Sequence, residues 1–302
     1  MNKLLLACLA AAVLFAGHLR VGAAEGARLR YLASVYFDDK GAGLHLPEGV
    51  ACDAKGQFVV GDTGNDRLLR FTFQDEKVGG GAEIKVPELS APWKVQLGSK
   101  GEIYALDAKQ RRIARLGPQG ELKDVLAVEG APAPSTIVPK SFAIDQADNV
   151  YVLDAFSARV LVVNAQGQFQ KAVNLPEEAG FGTDLAVDFA GNVLVLDSIR
   201  RRIYSAPRDG DAFAQVGGDL GEALATMPTS ITTSKGVIFV AEGSGGSIVA
   251  FGRDGSFLAR QLSAGWNEGS LNHPGQTCVN DRDEVFVADR DNSRVQVFKL
   301  VR

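Results

Sequence analysis

Six segments of the chain repeat one pattern: "LPEGVACDAKGQFVVGDTGNDRLLRF" from Leu46, "APWKVQLGSKGEIYALDAKQRRIARL" from Ala91, "VPKSFAIDQADNVYVLDAFSARVLVV" from Val138, "FGTDLAVDFAGNVLVLDSIRRRIYSA" from Phe181, "MPTSITTSKGVIFVAEGSGGSIVAF" from Met227 and "HPGQTCVNDRDEVFVADRDNSRVQVF" from His273. Acidic residues mark the register at Asp62, Asp107, Asp154, Asp197, Glu242 and Asp289, with spacings of 45, 47, 43, 45 and 47. Five of them are followed five positions later by arginine, at Arg67, Arg112, Arg159, Arg202 and Arg294; the fifth repeat has Ser247 there. A period of roughly 40–50 residues belongs to a propeller or another repeat array. Within each period lie short β-rich runs such as "FVV", "VYVLD", "VLVLD" and "VFVAD", divided by Gly, Asn and Asp turn signals and lacking a helical period. Four such runs per unit make a propeller blade. In the first unit they are expected at 50–53, 57–62, 68–73 and 83–86.

The last unit runs "TCVND", "EVFVAD", "RVQVFKL" and then stops one strand short. The missing strand stands at the other end, as "RLRYLASVYF" at 28–37. The expected fold is therefore all-β, a six-bladed β-propeller of four-stranded blades, closed by the N-terminal strand pairing beside 294–300 to complete the last blade. Such closure removes exposed sheet edges, which otherwise invite association.

The order Pro, Gly-Val, Asp, Gly-Asn, hydrophobic strand, Ala-Asp, Arg-Val and an aromatic resembles the NHL-repeat family, most closely in the first and sixth units. The resemblance covers the chain after its N-terminal segment, and the Gly-His and Trp-Asp marks of WD repeats are missing. It implies architecture first, because such propellers include both binding scaffolds and enzymes.

An acid closing one strand and an arginine opening the next are placed to meet across a hairpin, so Asp62–Arg67, Asp107–Arg112, Asp154–Arg159, Asp197–Arg202 and Asp289–Arg294 read as structural pairs. Amidating lyases that use an NHL-like propeller bind zinc through three histidines, two of them directly after the repeat proline. Here His45 and His273 are the histidines beyond the leader, and both precede the proline. Lactonase-like propellers hold calcium through a Glu, Asn and Asp set, for which no ordered match is found. No nucleophile-elbow motif accompanies either histidine, and the Gly-rich stretches at Gly79 and Gly243 lack the lysine of a phosphate loop. No cofactor is expected, and a channel calcium or zinc ion is the alternative.

Residues 1–24 read as a secretory signal peptide: Lys3, an apolar run from Leu4 to Phe15, then Gly22, Ala23 and Ala24. A lipoprotein signal ending at Cys8 would leave only four apolar residues before the cysteine. No stretch approaches the roughly 20 apolar residues of a transmembrane helix. A periplasmic or secreted propeller at 25–302 is expected. Removing the leader takes Lys3, Arg20 and no acid, which leaves 30 basic against 36 acidic residues and a net charge of −6. That balance argues against nucleic acid as a partner. Cys52 and Cys278 fall near the start of the first and last units. Their offsets in the repeat differ by one, so they are expected on opposite strand faces, unbridged, as two small buried residues.

The loops after the second strand and between blades emerge on one end of the ring, and they carry the residues that vary between repeats. Inter-blade connections bring His45, Trp266 and His273 there; positions beside the proline bring Glu48, Trp93 and Lys140; inner loops add Lys109, Arg111, Arg200, Arg201 and Arg290. Aromatics and arginines on a rim suit another exported or envelope protein, a glycan or a small ligand. The alternative places both tryptophans in gaps between blades. Blades one, two and six are expected to border the site, with His45 and His273 close to each other and to Glu48, as a metal or pH-sensing pair. The leading function is a binding scaffold outside the cytoplasm, and the second a metal-dependent hydrolase or lyase in the channel.

Overall fold

The computed structural model describes residues 28–301 apart from Asp219; the leader expected at 1–24 lies outside them. The strands form six antiparallel four-stranded sheets. Blade 1 is Gly49–Cys52, Gln57–Asp62, Arg67–Gln74 and Lys77–Ile84, and blade 2 is Pro92–Leu97, Ile103–Asp107, Arg112–Leu116 and Leu122–Val125. Blade 3 is Pro139–Ile144, Val150–Asp154, Arg159–Val163 and Phe169–Asn174, and blade 4 is Gly182–Val187, Val193–Asp197, Arg202–Ala206 and Ala214–Gln215. Blade 5 is Pro228–Ser234, Val237–Glu242, Ser247–Gly252 and Phe257–Gln261. Blade 6 is Pro274–Val279, Glu284–Asp289 and Arg294–Val301, completed on its outer edge by Arg28–Val35. The first strands of successive blades contact each other around a ring that closes between blades 6 and 1. The N-terminal strand pairs with the C-terminal one from Arg28↔Val301 to Val35↔Val295. One element falls elsewhere than expected: the fourth strand of blade 1 is Lys77–Ile84 rather than 83–86, because the third strand runs on to Gln74 and turns tightly at Asp75 and Glu76, both left-handed.

The second and third strands are buried on both faces, since every blade is sandwiched between two others. That double burial makes "VYVLD" and "VLVLD" continuous apolar runs rather than alternating ones. Each of six apolar clusters spans one junction between neighbouring blades. At the junction of blades 6 and 1, Phe58 and Val60 meet Phe286 and Ala288. These are even offsets from Asp62 facing odd offsets from Asp289. A radial stack thus sets opposite faces of the repeat against each other.

The same geometry corrects the expectation for the cysteines. Cys52 and Cys278 form a disulfide, with Cα atoms 5.9 Å apart and 226 residues between them in sequence. The one-residue offset places them on opposite faces of their own blades, and opposite faces are the ones that meet across a junction.

The recurring acid does more than close a hairpin. In all six units its carboxylate accepts the backbone N–H of a residue 16 or 17 positions upstream, on the connection entering that blade: His45, Ser90, Val138, Gly180, Thr226 and Asn272. Arg67, Arg159 and Arg294 pair with it at 2.7, 3.2 and 2.6 Å. Departures occur elsewhere. Arg112 instead donates to Glu88 O at 2.6 Å, while Asp107 takes the amides of Ser90 and Gln110. Arg202 lies opposite Asp197 in the strand register, and Asp197 also has Arg200 Nη1 at 3.8 Å. Glu242 accepts from Ser247 Oγ at 2.5 Å and pairs with Arg260, a cation supplied by the fourth strand in place of the missing one.

On the opposite end, Tyr151 donates to Asp145 Oδ2 at 3.2 Å, in the turn that joins the first two strands of its own blade. Burial, followed by the Asp145 charge, pushes its phenol up to about 12. A phenol held neutral by the fold stabilises it below the unfolded pKa near 10, and that contribution is lost as pH rises from about 10 to 12. Burial also raises Tyr31 and Tyr104, so absorbance titration is expected to show one fewer late phenol in Tyr151→Phe; an unchanged number of late phenols in the variant would sink this assignment.

Candidate functional site

The positions directly after the repeat proline, and those beyond the recurring acid, converge at one mouth of the channel. Blade 4 has Gly182 where the others carry proline. A cavity of about 510 Å³ opens there, with lining residues from all six blades.

Its floor is a polar tie between blades. Lys94 Nζ pairs with Asp184 Oδ1 and donates to Ser141 Oγ at 3.0 Å and to Leu185 O at 2.9 Å. Ser141 Oγ donates to Asp184 Oδ1 at 2.5 Å, and Asp184 Oδ2 accepts the Ile231 N–H at 2.9 Å. Gln276 Oε1 accepts from the N–H groups of Val50 and Val95 at 3.2 and 2.9 Å, and its Nε2 donates to Val95 O at 2.7 Å. Ser230 Oγ donates to Gly275 O at 2.8 Å. Lys94, Ser141, Asp184, Ser230 and Gln276 are buried. With its three donors engaged, the Lys94 amine offers Ser141 no lone pair, so the two are not a nucleophile and its base.

Above the floor the rim has two unlike halves. On blades 2, 4 and 5, Trp93, Phe181, Ile199 and Met227 line the cavity while remaining 43–68% exposed. Phe156 stands exposed on the same inner loops. Lys140 Nζ lies 5.5 Å from the Trp93 ring centre and 5.8 Å from that of Phe181. On blades 6 and 1, Arg290 donates to Glu48 Oε1 and to Asp291 Oδ1, each at 2.5 Å, and His273 Nδ1 lies 3.0 Å from Asp291 Oδ2. Burial pushes the Glu48 carboxyl above the usual carboxylate range, against the pull of Arg290.

The residues singled out from the sequence therefore divide. Glu48, Trp93, Lys140, His273 and Arg290 line the cavity. His45 is exposed beside Gly64 and is not part of the lining, and Glu48 and His273 are engaged by Arg290 and Asp291 rather than converging with it. Among the described residues no group of three or more His, Cys, Asp or Glu is placed to hold a metal ion. Trp266 is 80% exposed on the connection between blades 5 and 6 and is not part of the cavity lining. Lys109 pairs with Asp66 at 2.9 Å across blades 1 and 2. Arg111 and Arg201 occupy the left-handed turn position before the repeat arginine, and Arg201 is tied to the carbonyls of Gly221 and Leu224. Arg200 is exposed near Asp197. Blades one, two and six do border the cavity, together with the other three, and its exposed apolar lining comes from blades 2, 4 and 5. Phe156, Phe181, Ile199 and Met227 were missed, although a large apolar residue in loop columns of the repeat is a readable signal. The Lys94, Ser141, Asp184 and Gln276 column was also missed.

Comparison with known proteins matches an NHL repeat to residues 271–298. The chain is 28% identical over 171 residues to rat peptidylglycine alpha-amidating monooxygenase, which covers 50% of this chain and 16% of that protein. It is 34% identical over 78 residues to Protein lin-41 of Caenorhabditis elegans, covering 26% of this chain and 6% of that one. The chain thus spans a small part of either relative's length. Among solved structures, a gluconolactonase from Xanthomonas campestris superposes with a TM-score of 0.65 at 15% identity, over 94% of this chain and 93% of that one. Virginiamycin B lyase from Staphylococcus aureus superposes with a TM-score of 0.62 at 12% identity, over 91% and 100%. At such identities the likeness is one of fold, and the chain is a six-bladed β-propeller that carries an NHL repeat.

Proposed function

We propose that this chain is an exported propeller that acts by binding, in the cell envelope or outside the cell, and that it holds a ligand or partner at the channel mouth. The observation that carries this reading is the apolar arc of Trp93, Phe181, Ile199 and Met227 left in contact with solvent around a cavity. Contiguous exposed apolar surface with a polar border marks interaction sites, and about 510 Å³ is within the size of small-molecule sites. The Cys52–Cys278 bridge supports export, because disulfides persist in oxidising compartments. No helix among the described residues is long and apolar enough to cross a membrane. Binding is preferred to hydrolysis because the acids and the histidine of the mouth, Glu48, Asp184, Asp291 and His273, are each engaged by a partner rather than set around a free nucleophile.

The test is a thermal-shift screen of amphiphilic small molecules and short peptides. Ligands found this way should lose about tenfold or more in affinity on Trp93→Ala with Met227→Ser, as expected when two buried apolar contacts of ~1–2 kcal/mol each are removed. They should be indifferent to Trp266→Phe. Ligands bound equally well by the rim variant would remove the mouth from the function.

A further inference from the structure

We infer that the mouth is selective for an anion with an apolar body, specifically a small carboxylate whose charged end is met by Lys140; this rests on the mouth being a binding site. Lys140 is the distinctive group of the rim. Lys140 is half-buried at the cavity edge and its ammonium lies against two aromatic rings; it interacts with the Glu48 charge through space but makes no ion pair or hydrogen bond with the described chain. The other charges of the mouth differ: Arg290 is shared between Glu48 and Asp291, and His273 faces Asp291. The acids are thus bonded to Arg290 or faced by His273 on one side, and a cation without a bonded partner stands on the other.

Rings on two sides strip water from the ammonium without giving its N–H groups an acceptor. A carboxylate arriving there gains charge-assisted hydrogen bonds at a site already partly desolvated. The body attached to it then lies over Ile199 and Met227, the exposed apolar surface adjoining the two rings. A neutral ligand of the same shape keeps the apolar contact and forfeits the ionic one. A cationic ligand meets Lys140 as a like charge.

Three compounds with one body and different heads test this: 1-naphthaleneacetate, 1-naphthaleneacetamide and 2-(1-naphthyl)ethylamine, titrated by calorimetry and ligand-observed NMR. The acid is expected to bind about tenfold or more tightly than the amide, in line with hydrogen bonds to charged groups, and the amine most weakly. Lys140→Gln should bring the acid down to the amide while leaving the amide unchanged, and Lys140→Arg should retain the preference. Equal binding of acid and amide, or a preference that survives Lys140→Gln, overturns the anion inference and leaves the mouth as an apolar binding site. Failure of all three to bind or to perturb Trp93 fluorescence in Trp266→Phe overturns both.

Discussion

Replacing Asp184 by alanine is expected to lower stability by about 3–5 kcal/mol, the cost of stranding one member of a buried ion pair. The carboxylate is the acceptor for the Lys94 ammonium, the Ser141 hydroxyl and the Ile231 amide, so one deletion leaves donors on blades 2, 3 and 5 without it. Lys94 and Asp184 are respectively 4% and 5% exposed at the cavity floor, so the pair is largely withdrawn from solvent. The readout is a shift of the urea midpoint at constant slope, which separates lost stability from a changed unfolded state. The comparison that isolates the mechanism is Lys94→Met with Asp184→Leu. If the damage comes from an uncompensated charge, the double variant recovers most of the stability. If it unfolds as readily as Asp184→Ala, the tie itself is needed to hold the blades in register, and the stranded-charge account fails.

That tie shows which parts of the molecule were legible in the sequence. The period, the six blades and the closing strand were readable because each depends on a pattern repeated six times, and the recurring acid sets the frame for all of it. The tie was not read, although the column is visible once the repeats are aligned: Gly49, Lys94, Ser141, Asp184, Ser230 and Gln276 alternate with Val50, Val95, Phe142, Leu185, Ile231 and Thr277. Five of the first set are polar in strands whose next position is mostly apolar, which is the mark of residues facing the axis. What no column could supply is that Lys94 and Asp184, 90 residues apart and two blades removed, meet across the channel. The apolar rim was half legible. Trp93 stood out as a rare residue, whereas Phe181, Ile199 and Met227 looked like ordinary apolar residues until the fold left them without a core to enter. Blade 5 shows the limit of residue-for-residue alignment, since the cation absent at Ser247 arrives from Arg260 on the neighbouring strand.

Breaking the covalent link between the first and last blades is expected to cost about 2–5 kcal/mol, toward the upper end because the loop it closes is long. The bridge joins Cys52 and Cys278 across 226 residues, and so restrains nearly the whole described chain when it unfolds. Some of that restraint duplicates the non-covalent closure by Arg28–Val35, but the strand pairing disappears on unfolding while the bridge does not. The stabilisation therefore comes mainly from the restricted unfolded ensemble, and Cys52→Ser with Cys278→Ser should fall by the same amount as the native sequence in reductant. A difference between those two would point to the serine side chains, which enter a junction packed with Phe58, Phe73 and Phe286. The same two residues report on compartment. Mature protein taken from an oxidising environment should show no thiol reactive in denaturant, whereas two reactive thiols in freshly isolated native protein would place it in a reducing compartment and contradict export. If residues 1–24 are removed as the sequence leads one to expect, Cys8 goes with them, and a third thiol would mark a chain that kept its N-terminus.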